Sequence, residues 1–234
     1  MLVTQPRLFT ALRVLCACVA VSLLAADKVS AQITYDFTAS DSGFTVTSDG
    51  NVEGPWEWTA GTGWTVDGSA NLGSPSHSRL TSPELTVDAT GDTPISFTHR
   101  YSIEGDLWDG AALMVSVNGG AFTQIPDSAF LLNGYTGFGL IGNHALSGGE
   151  GFNGDSPGYA AGEQIVSVAV GSYNSGDKIQ VQFLGAWDEF AQGSLPNWHI
   201  SRVDIGNVVV PEPNSLGLVT FGALGLLLRS RRRK

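Results

Sequence analysis

An antiparallel β-sandwich is the fold the sequence predicts, and three observations carry it. Apolar and polar residues alternate with a period of two through most of the chain between Gln32 and Val210. Gly, Asp, Asn and Ser clusters punctuate these stretches at short intervals. No long amphipathic helical pattern occurs before the C-terminal tail. Many short strands joined by turns, without interleaved helices, close into a sandwich rather than a parallel α/β sheet.

The elements follow in chain order. Short strands are expected at Thr34–Phe37, Phe44–Thr47, Trp56–Thr59 and Arg79–Thr81. From Ile95 to Tyr101, Ile95, Phe97, His99 and Tyr101 alternate with Ser96, Thr98 and Arg100, the pattern of a half-buried strand. Leu113–Val117, the turn Asn118-Gly119-Gly120 and Ala121–Ile125 form the clearest hairpin, because Asn-Gly accepts the positive φ of a tight turn. Pro126–Gly162 is too long for an ordinary loop. Its Phe130, Tyr135, Phe138, Phe152 and Tyr159 predict a segment packed on the sandwich, with room for a short hairpin. Gln164–Val170 sets Val166, Val168 and Val170 on one face, and Ile179, Val181 and Phe183 alternate with glutamines. In Trp198–Ile205 the apolar parity switches between Ile200 and Val203, which predicts a β-bulge near Ser201.

Several short stretches then add a resemblance by their order. They are Tyr35-Asp36-Phe37, Leu80–Leu85, Ile95–Tyr101, Asp109-Gly110, Val117–Gly120 and Trp198–Ile205. Together they resemble the jelly-roll sandwich of MAM domains and of related accessory modules in secreted bacterial peptidases. The resemblance implies an all-β, antiparallel jelly-roll sandwich over nearly the whole body. The chain departs from it by lacking the cysteines of animal MAM domains. Val203 and Asp204 also stand where paired acids are usual.

Both ends read as addresses rather than as fold. Arg7 and Arg13 precede the apolar stretch Val14–Ala26, and Val29-Ser30-Ala31 places small residues for signal peptidase, which cuts between Ala31 and Gln32. Residues 1–31 are therefore expected to be a signal peptide, residues 32–209 the sandwich, and residues 210–234 a sorting tail. Both cysteines, Cys16 and Cys18, fall in the removed segment, so the exported body rests on its core or on bound ions rather than on a disulfide. The tail runs Pro211-Glu212-Pro213, then an apolar stretch Leu216–Leu228, then Arg229, Arg231, Arg232, Arg233 and Lys234. Thirteen helical residues rise only about 20 Å, so the helix inserts marginally, and the basic end holds it to the cytoplasmic side. This order resembles the PEP-CTERM sorting signal of Gram-negative bacteria. The resemblance implies cleavage near Pro211-Glu212-Pro213 by an exosortase. It also implies delivery to the cell envelope, outer surface or extracellular matrix, with contact to the membrane only through the tail.

Between the two signals stand four basic residues, Arg79, Arg100, Lys178 and Arg202, against twenty acids, a net charge of −16. Such a body repels nucleic acid and anionic membrane. Gly154-Asp155-Ser156-Pro157-Gly158 matches a nucleophile-elbow pattern, but Pro157 has no N–H for an oxyanion and no helix follows, so it reads as a turn. His77, His99, His144 and His199 lack zinc spacing, and His99 and His199 lie in strands as packed side chains. Asp106/Asp109 and Asp188/Glu189 offer paired acids for glycoside hydrolysis, yet turn chemistry explains them more simply.

Two ligand expectations remain. Calcium, which takes hard oxygen ligands, is the candidate cofactor. Resemblance to MAM-like modules points to Asp36 in the first strand and Asp204 in the last as its ligands. Trp108, Asp109 and Trp187 combine aromatic faces with acids, a pattern suited to exopolysaccharide. The expected protein is non-enzymatic, with a structural or adhesive role. Carbohydrate binding is the first alternative and a secreted hydrolase the second.

Overall fold

The structure, a computed structural model, describes residues 32–50, 55–68, 74–190 and 193–210. The signal peptide, with the cleavage position at Ala31, and the tail with Pro211, Glu212 and Pro213 lie outside the described residues. Among those described, no helix is long and apolar enough to cross a membrane.

Apart from two short 3-10 turns, the regular elements of the described residues are all strands. In order these are β1 (Ile33–Asp36), β2 (Thr45–Gly50), β3 (Glu57–Thr59), β4 (Gly63–Val66), β5 (Ser76–Thr81) and β6 (Leu85–Val87). The long β7 (Gly91–Ile103) and β8 (Gly110–Val117) follow, then the short β9 (Thr123–Gln124), β10 (Phe130–Leu132), β11 (Gly137–Phe138), β12 (Glu150–Gly151) and β13 (Gly154–Asp155). β14 (Ile165–Tyr173), β15 (Lys178–Trp187), β16 (Trp198–Ile205) and β17 (Val208–Val209) close the body.

One antiparallel sheet runs β10-β14-β7-β16-β4-β3, with β1 beside β16 and β13 beside β7; the other is built on β17-β6-β15-β5-β2, with β8 beside β15. The chain passes from sheet to sheet many times, β4–β5, β7–β8, β14–β15 and β15–β16 among the crossings, as in a jelly roll. The sheets face each other across aromatic contacts. Phe97 of β7 and Trp198 of β16 meet Phe183 of β15 at ring-centroid distances of 5.2 and 5.7 Å. Alternation along β7 buries Thr93, Ile95, Phe97, His99 and Tyr101 toward this core, as the period of two requires.

Most expected elements are present, several with shifted ends. β2 begins at Thr45 and runs on to Gly50, pairing with β5 throughout. The register of β16 against β7 shifts between Ile200 and Arg202, which places the bulge at Ser201. Asn118 and Gly119 take φ values of 52° and 71°, the turn geometry their sequence favours. β4 and β6 were not legible. β4 is only four residues, so its Trp64/Val66 alternation is too short to register, and β6 is three residues wedged between Pro83-Glu84 and a turn.

The segment 126–162 packs as its aromatics predict. β11 pairs with β12 as a short hairpin, and two 3-10 turns, Asp127–Ala129 and Tyr159–Ala161, are its only helical elements. Phe152 is wholly buried and exchanges backbone hydrogen bonds with Ala111 of β8, while β13 pairs with the end of β7. This segment therefore spans both sheets at one end of the sandwich. Ser156 of the elbow-like pattern is structural, because its buried hydroxyl accepts the Tyr101 N–H at 3.1 Å.

Candidate functional site

The same end of the sandwich gathers the acids and aromatics that the sequence singles out. β7 and β16 are neighbours in one sheet, with Tyr101 opposite Trp198; β8 and β15 are neighbours in the other, with Gly110 opposite Ala186. The β7–β8 loop and the β15–β16 loop therefore leave the same edge side by side. Glu104–Asp109 and Asp188–Glu189 meet there, though about eighty residues separate them in sequence.

Loop geometry fixes the first of these segments. Asp106 and Leu107 both adopt left-handed conformations, with φ of 56° and 69°. For residues with a Cβ this costs on the order of 1 kcal/mol each and persists only where neighbours hold it. His144 is one such neighbour: its Nε2 donates to the Trp108 carbonyl at 2.8 Å, and its Nδ1 accepts the Leu146 N–H at 3.1 Å. Burial holds His144 below the ordinary histidine range and keeps it neutral for this double role. Asn153 adds a second tie, donating from its side chain to the carbonyls of Glu104 and Asp109. Gly142 passes so close that an added Cβ would lie 1.8 Å from the Trp108 carbonyl oxygen.

What results is an open cleft of about 330 Å³ lined by Glu104, Trp108, Asp188, Glu189 and Phe190. Trp108 is 43% exposed and Phe190 49%, so both present a ring face while remaining anchored. Beneath them Asp109 is wholly buried. Its Oδ1 accepts the Asp188 backbone N–H at 2.9 Å, whereas its buried Oδ2 has no hydrogen-bond partner. Burial, partly offset by that hydrogen bond and added to by the charges of Asp188 and Glu104, pushes the Asp109 carboxyl up to about 8. Glu104 is raised for the same reasons, by burial first and then by the neighbouring acids Asp188 and Asp106. One oxygen each from Glu104, Asp109 and Asp188 lies within 4.8 Å of the others, a spacing that admits a cation.

The sequence-predicted site residues divide accordingly. Trp108 stands at the surface of the cleft and Asp109 beneath it. Trp187 is a correction: expected as a stacking platform, it is only 1% exposed, because its position on β15 turns it into the core, and it offers no face to a sugar. Asp36 and Asp204 are brought close, with Asp36 opposite Arg202 and Thr34 opposite Asp204 in the β1–β16 pair. Their charges are already met. Arg202 grips both Asp204 oxygens at 2.7 and 2.8 Å, Thr34 and Gln32 donate to the same carboxylate, and Thr38 donates twice to Asp36. Hydrogen bonding holds the Asp36 carboxyl low, and the Arg202 and Thr34 contacts outweigh burial to do the same for Asp204.

Sequence reasoning missed Glu104 and Phe190. Each lies at or just past a strand end beside an acid already noted, so the only available signal was position. His99 and His199 are packed strand residues, as expected: His99 is fully buried between Ser167 and Trp198, and His199 donates from Nε2 to the Thr62 carbonyl.

Comparison with known proteins identifies the tail. Residues 209–233 match the PEP-CTERM protein-sorting motif. This is an exported, membrane-processed protein, a PEP-CTERM substrate of the exosortase route. No curated protein matches the chain. Among solved structures the chain is similar to the C-terminal CBM6 of LamC, a marine laminarinase from Zobellia galactanivorans, at 12% identity and a TM-score of 0.39, covering 75% of this chain and 99% of that one. It is similar also to the CBM22-1 xylan-binding domain of Xyn10C from Paenibacillus barcinonensis, at 12% identity and a TM-score of 0.37, covering 80% and 100%. A third is an exo-β-1,3-galactanase from Phanerochaete chrysosporium with galactose, at 14% identity and a TM-score of 0.33, covering 76% of this chain and 30% of that one. The MAM resemblance finds no support among these three.

Proposed function

We propose that the exported body is a non-catalytic adhesive module that holds polysaccharide in the Trp108–Phe190 cleft. The sorting tail would deliver it to the cell envelope or the surrounding matrix of a Gram-negative bacterium. The observation that carries this reading is the pairing of two half-exposed aromatic rings with Glu104, Asp188 and Glu189 in one open cleft. Aromatic faces stack on the apolar face of a sugar ring, and carboxylates accept hydrogen bonds from its hydroxyls. An exopolysaccharide at the site of delivery is a ligand of that chemistry. Binding fits better than hydrolysis because Asp109, the acid held most firmly in its protonated range, lies below the cleft and out of reach of a substrate.

A glycan array probed with the exported protein tests the reading. Retention on one or more polysaccharides is expected, with Trp108→Ala and Phe190→Ala each weakening it by roughly 1–2 kcal/mol, about 5- to 30-fold. Retention that neither substitution changes would place the ligand elsewhere. No retention at all would leave a purely structural role, and release of reducing ends from a bound glycan would replace binding with hydrolysis.

A further inference from the structure

Three acids meet at the floor of the cleft with no basic side chain among them, two lining it and one buried beneath. Glu104 leaves the end of β7, Asp109 precedes β8 and Asp188 follows β15, and their oxygens converge within 4.8 Å. Only four basic side chains stand between residues 32 and 210, and each is engaged elsewhere. Arg79 pairs with Asp49, Arg202 with Asp204, Lys178 donates to Thr86, and Arg100 lies over the Tyr159 ring. Among the described residues no protein cation therefore neutralises the cluster.

Asp109 makes the problem specific. Its side chain is wholly buried, its Oδ1 is fixed by the Asp188 backbone N–H, and its Oδ2 is buried without any partner. A buried carboxylate oxygen left unpaired is costly, and an acidic cluster around it raises that cost. The hydrogen bond to Oδ1 also fixes the direction of Oδ2 before any ligand arrives. Glu104 and Asp188, by contrast, line the open cleft above.

We propose that Glu104, Asp109 and Asp188 bind one divalent cation, with calcium the best match. All three donors are hard oxygens, with no sulfur or imidazole among them. Calcium–oxygen distances of about 2.3–2.6 Å let ligand oxygens lie up to about 5 Å apart across the ion, which the observed spacing satisfies. Three carboxylates leave the rest of a six- to eight-fold shell to water or backbone oxygens, and the cleft is open to supply water. The ion would tie the β7–β8 loop to the β15–β16 loop, directly under Trp108 and Phe190. It is also a different place from the β1–β16 pair, where Arg202 already supplies the positive charge.

The test uses the exported protein, freed of metal by chelator, and contains no glycan, so its failure and that of the proposed function are separate results. Calcium titration by calorimetry should show one saturable site. Calcium at a hundredfold above its Kd should raise Tm by about 5–10 °C over the chelated protein. Terbium, a calcium stand-in of similar ligand preference, should luminesce on tryptophan excitation and be displaced by calcium. Glu104→Gln and Asp188→Asn, both on the cleft side, should each weaken calcium by at least about tenfold. Asp109→Asn should abolish the response, and circular dichroism in chelator checks that it folds. A wild type with neither a calcium-dependent shift nor terbium luminescence overturns the proposal. So does a response that survives Glu104→Gln and Asp188→Asn but disappears in Asp36→Asn with Asp204→Asn, which would move the ion to the first and last strands.

Discussion

His99 shows how far a single residue's surroundings can override its ordinary chemistry. It lies in the core between Phe97, Tyr101, Phe152 and Trp198, its Nδ1 accepting from the Trp198 indole N–H at 3.0 Å. That contact leaves the proton on Nε2, which donates to Ser167 Oγ at 2.8 Å; Ser167 in turn donates to the Asn133 carbonyl. Burial, with a small contribution from His199, lowers His99 to about 3, against 6.5 for the free side chain. The unfolded chain therefore binds a proton that the folded chain refuses between those values. The resulting stability is fully present above pH 6.5 and is lost as pH falls toward 3. Compared with His99→Gln, the wild type should lose about 2 kcal/mol more stability between pH 6.5 and pH 4.5, read by urea denaturation at each pH. Parallel pH profiles would mean that His99 takes up its proton without unfolding the core. Gly142 offers a second test at this scale. Gly142→Ala drives a Cβ into the Trp108 carbonyl, so it should cost about 1–3 kcal/mol and weaken ligand retention in the Trp108 cleft as well. A variant with lowered stability but unchanged retention would show that the loop relaxes without moving Trp108.

The elements depend on turns whose residues are chosen for backbone shape. Asn118 at φ 52° leads β8 into β9, and its side chain also reaches the connection between β14 and β15. Its Oδ1 accepts the Lys178 N–H and its Nδ2 donates to Asp177, both at 2.9 Å. One asparagine thus ties the β8–β9 turn to the crossing between β14 and β15. Asn118→Ala should cost about 1–2 kcal/mol, by adding left-handed strain and removing both contacts, measurable as a lowered urea midpoint with an unchanged m-value. The bulge at Ser201 works differently. It resets the parity of β16 so that Trp198 and Ile200 on one side of it, and Val203 and Ile205 on the other, all face inward. Its sequence signal was plain, because apolar residues kept appearing after the parity had changed. The strands β4 and β6 gave no such signal. One is four residues long and the other three, and periodicity needs length to register.

At the scale of the whole molecule, charge dominates. A body with twenty acids and four bases repels itself, and the repulsion is screened as the Debye length shrinks from about 30 Å at 0.01 M salt to about 8 Å at 0.15 M. In chelator, Tm should therefore rise with sodium chloride over this range; a fall would mean that the Arg79–Asp49 and Arg202–Asp204 pairs outweigh the general repulsion. With both cysteines inside the first 31 residues, the exported form should show the same melting curve with and without reductant. Intact mass of that form should lack residues 1–31 and the tail beyond the Pro211-Glu212-Pro213 region. Peptides containing Arg231–Lys234 in the surface fraction would contradict processing at the matched motif.

The sequence alone determined the export route and the fold class, because both are written in local order. A sorting signal is read by its own succession of proline, apolar and basic residues, and a strand by the alternation of its neighbours. Half of the cleft was legible in the same way, since Trp108, Asp109 and the Asp188/Glu189 pair stood out as aromatics beside acids. Only the tertiary structure decided which of them share a site. Trp187 and Trp108 look alike in sequence, yet one faces the core and the other the solvent, a difference set by the pleat of β15 and the left-handed turn before Trp108. Glu104, Asp109 and Asp188 come from two loops far apart in the chain. They meet because β7 lies beside β16 and β8 beside β15, so the β7–β8 and β15–β16 crossings emerge at one edge. Strand pairing over such distances is set by the burial of the whole core, which no local pattern encodes.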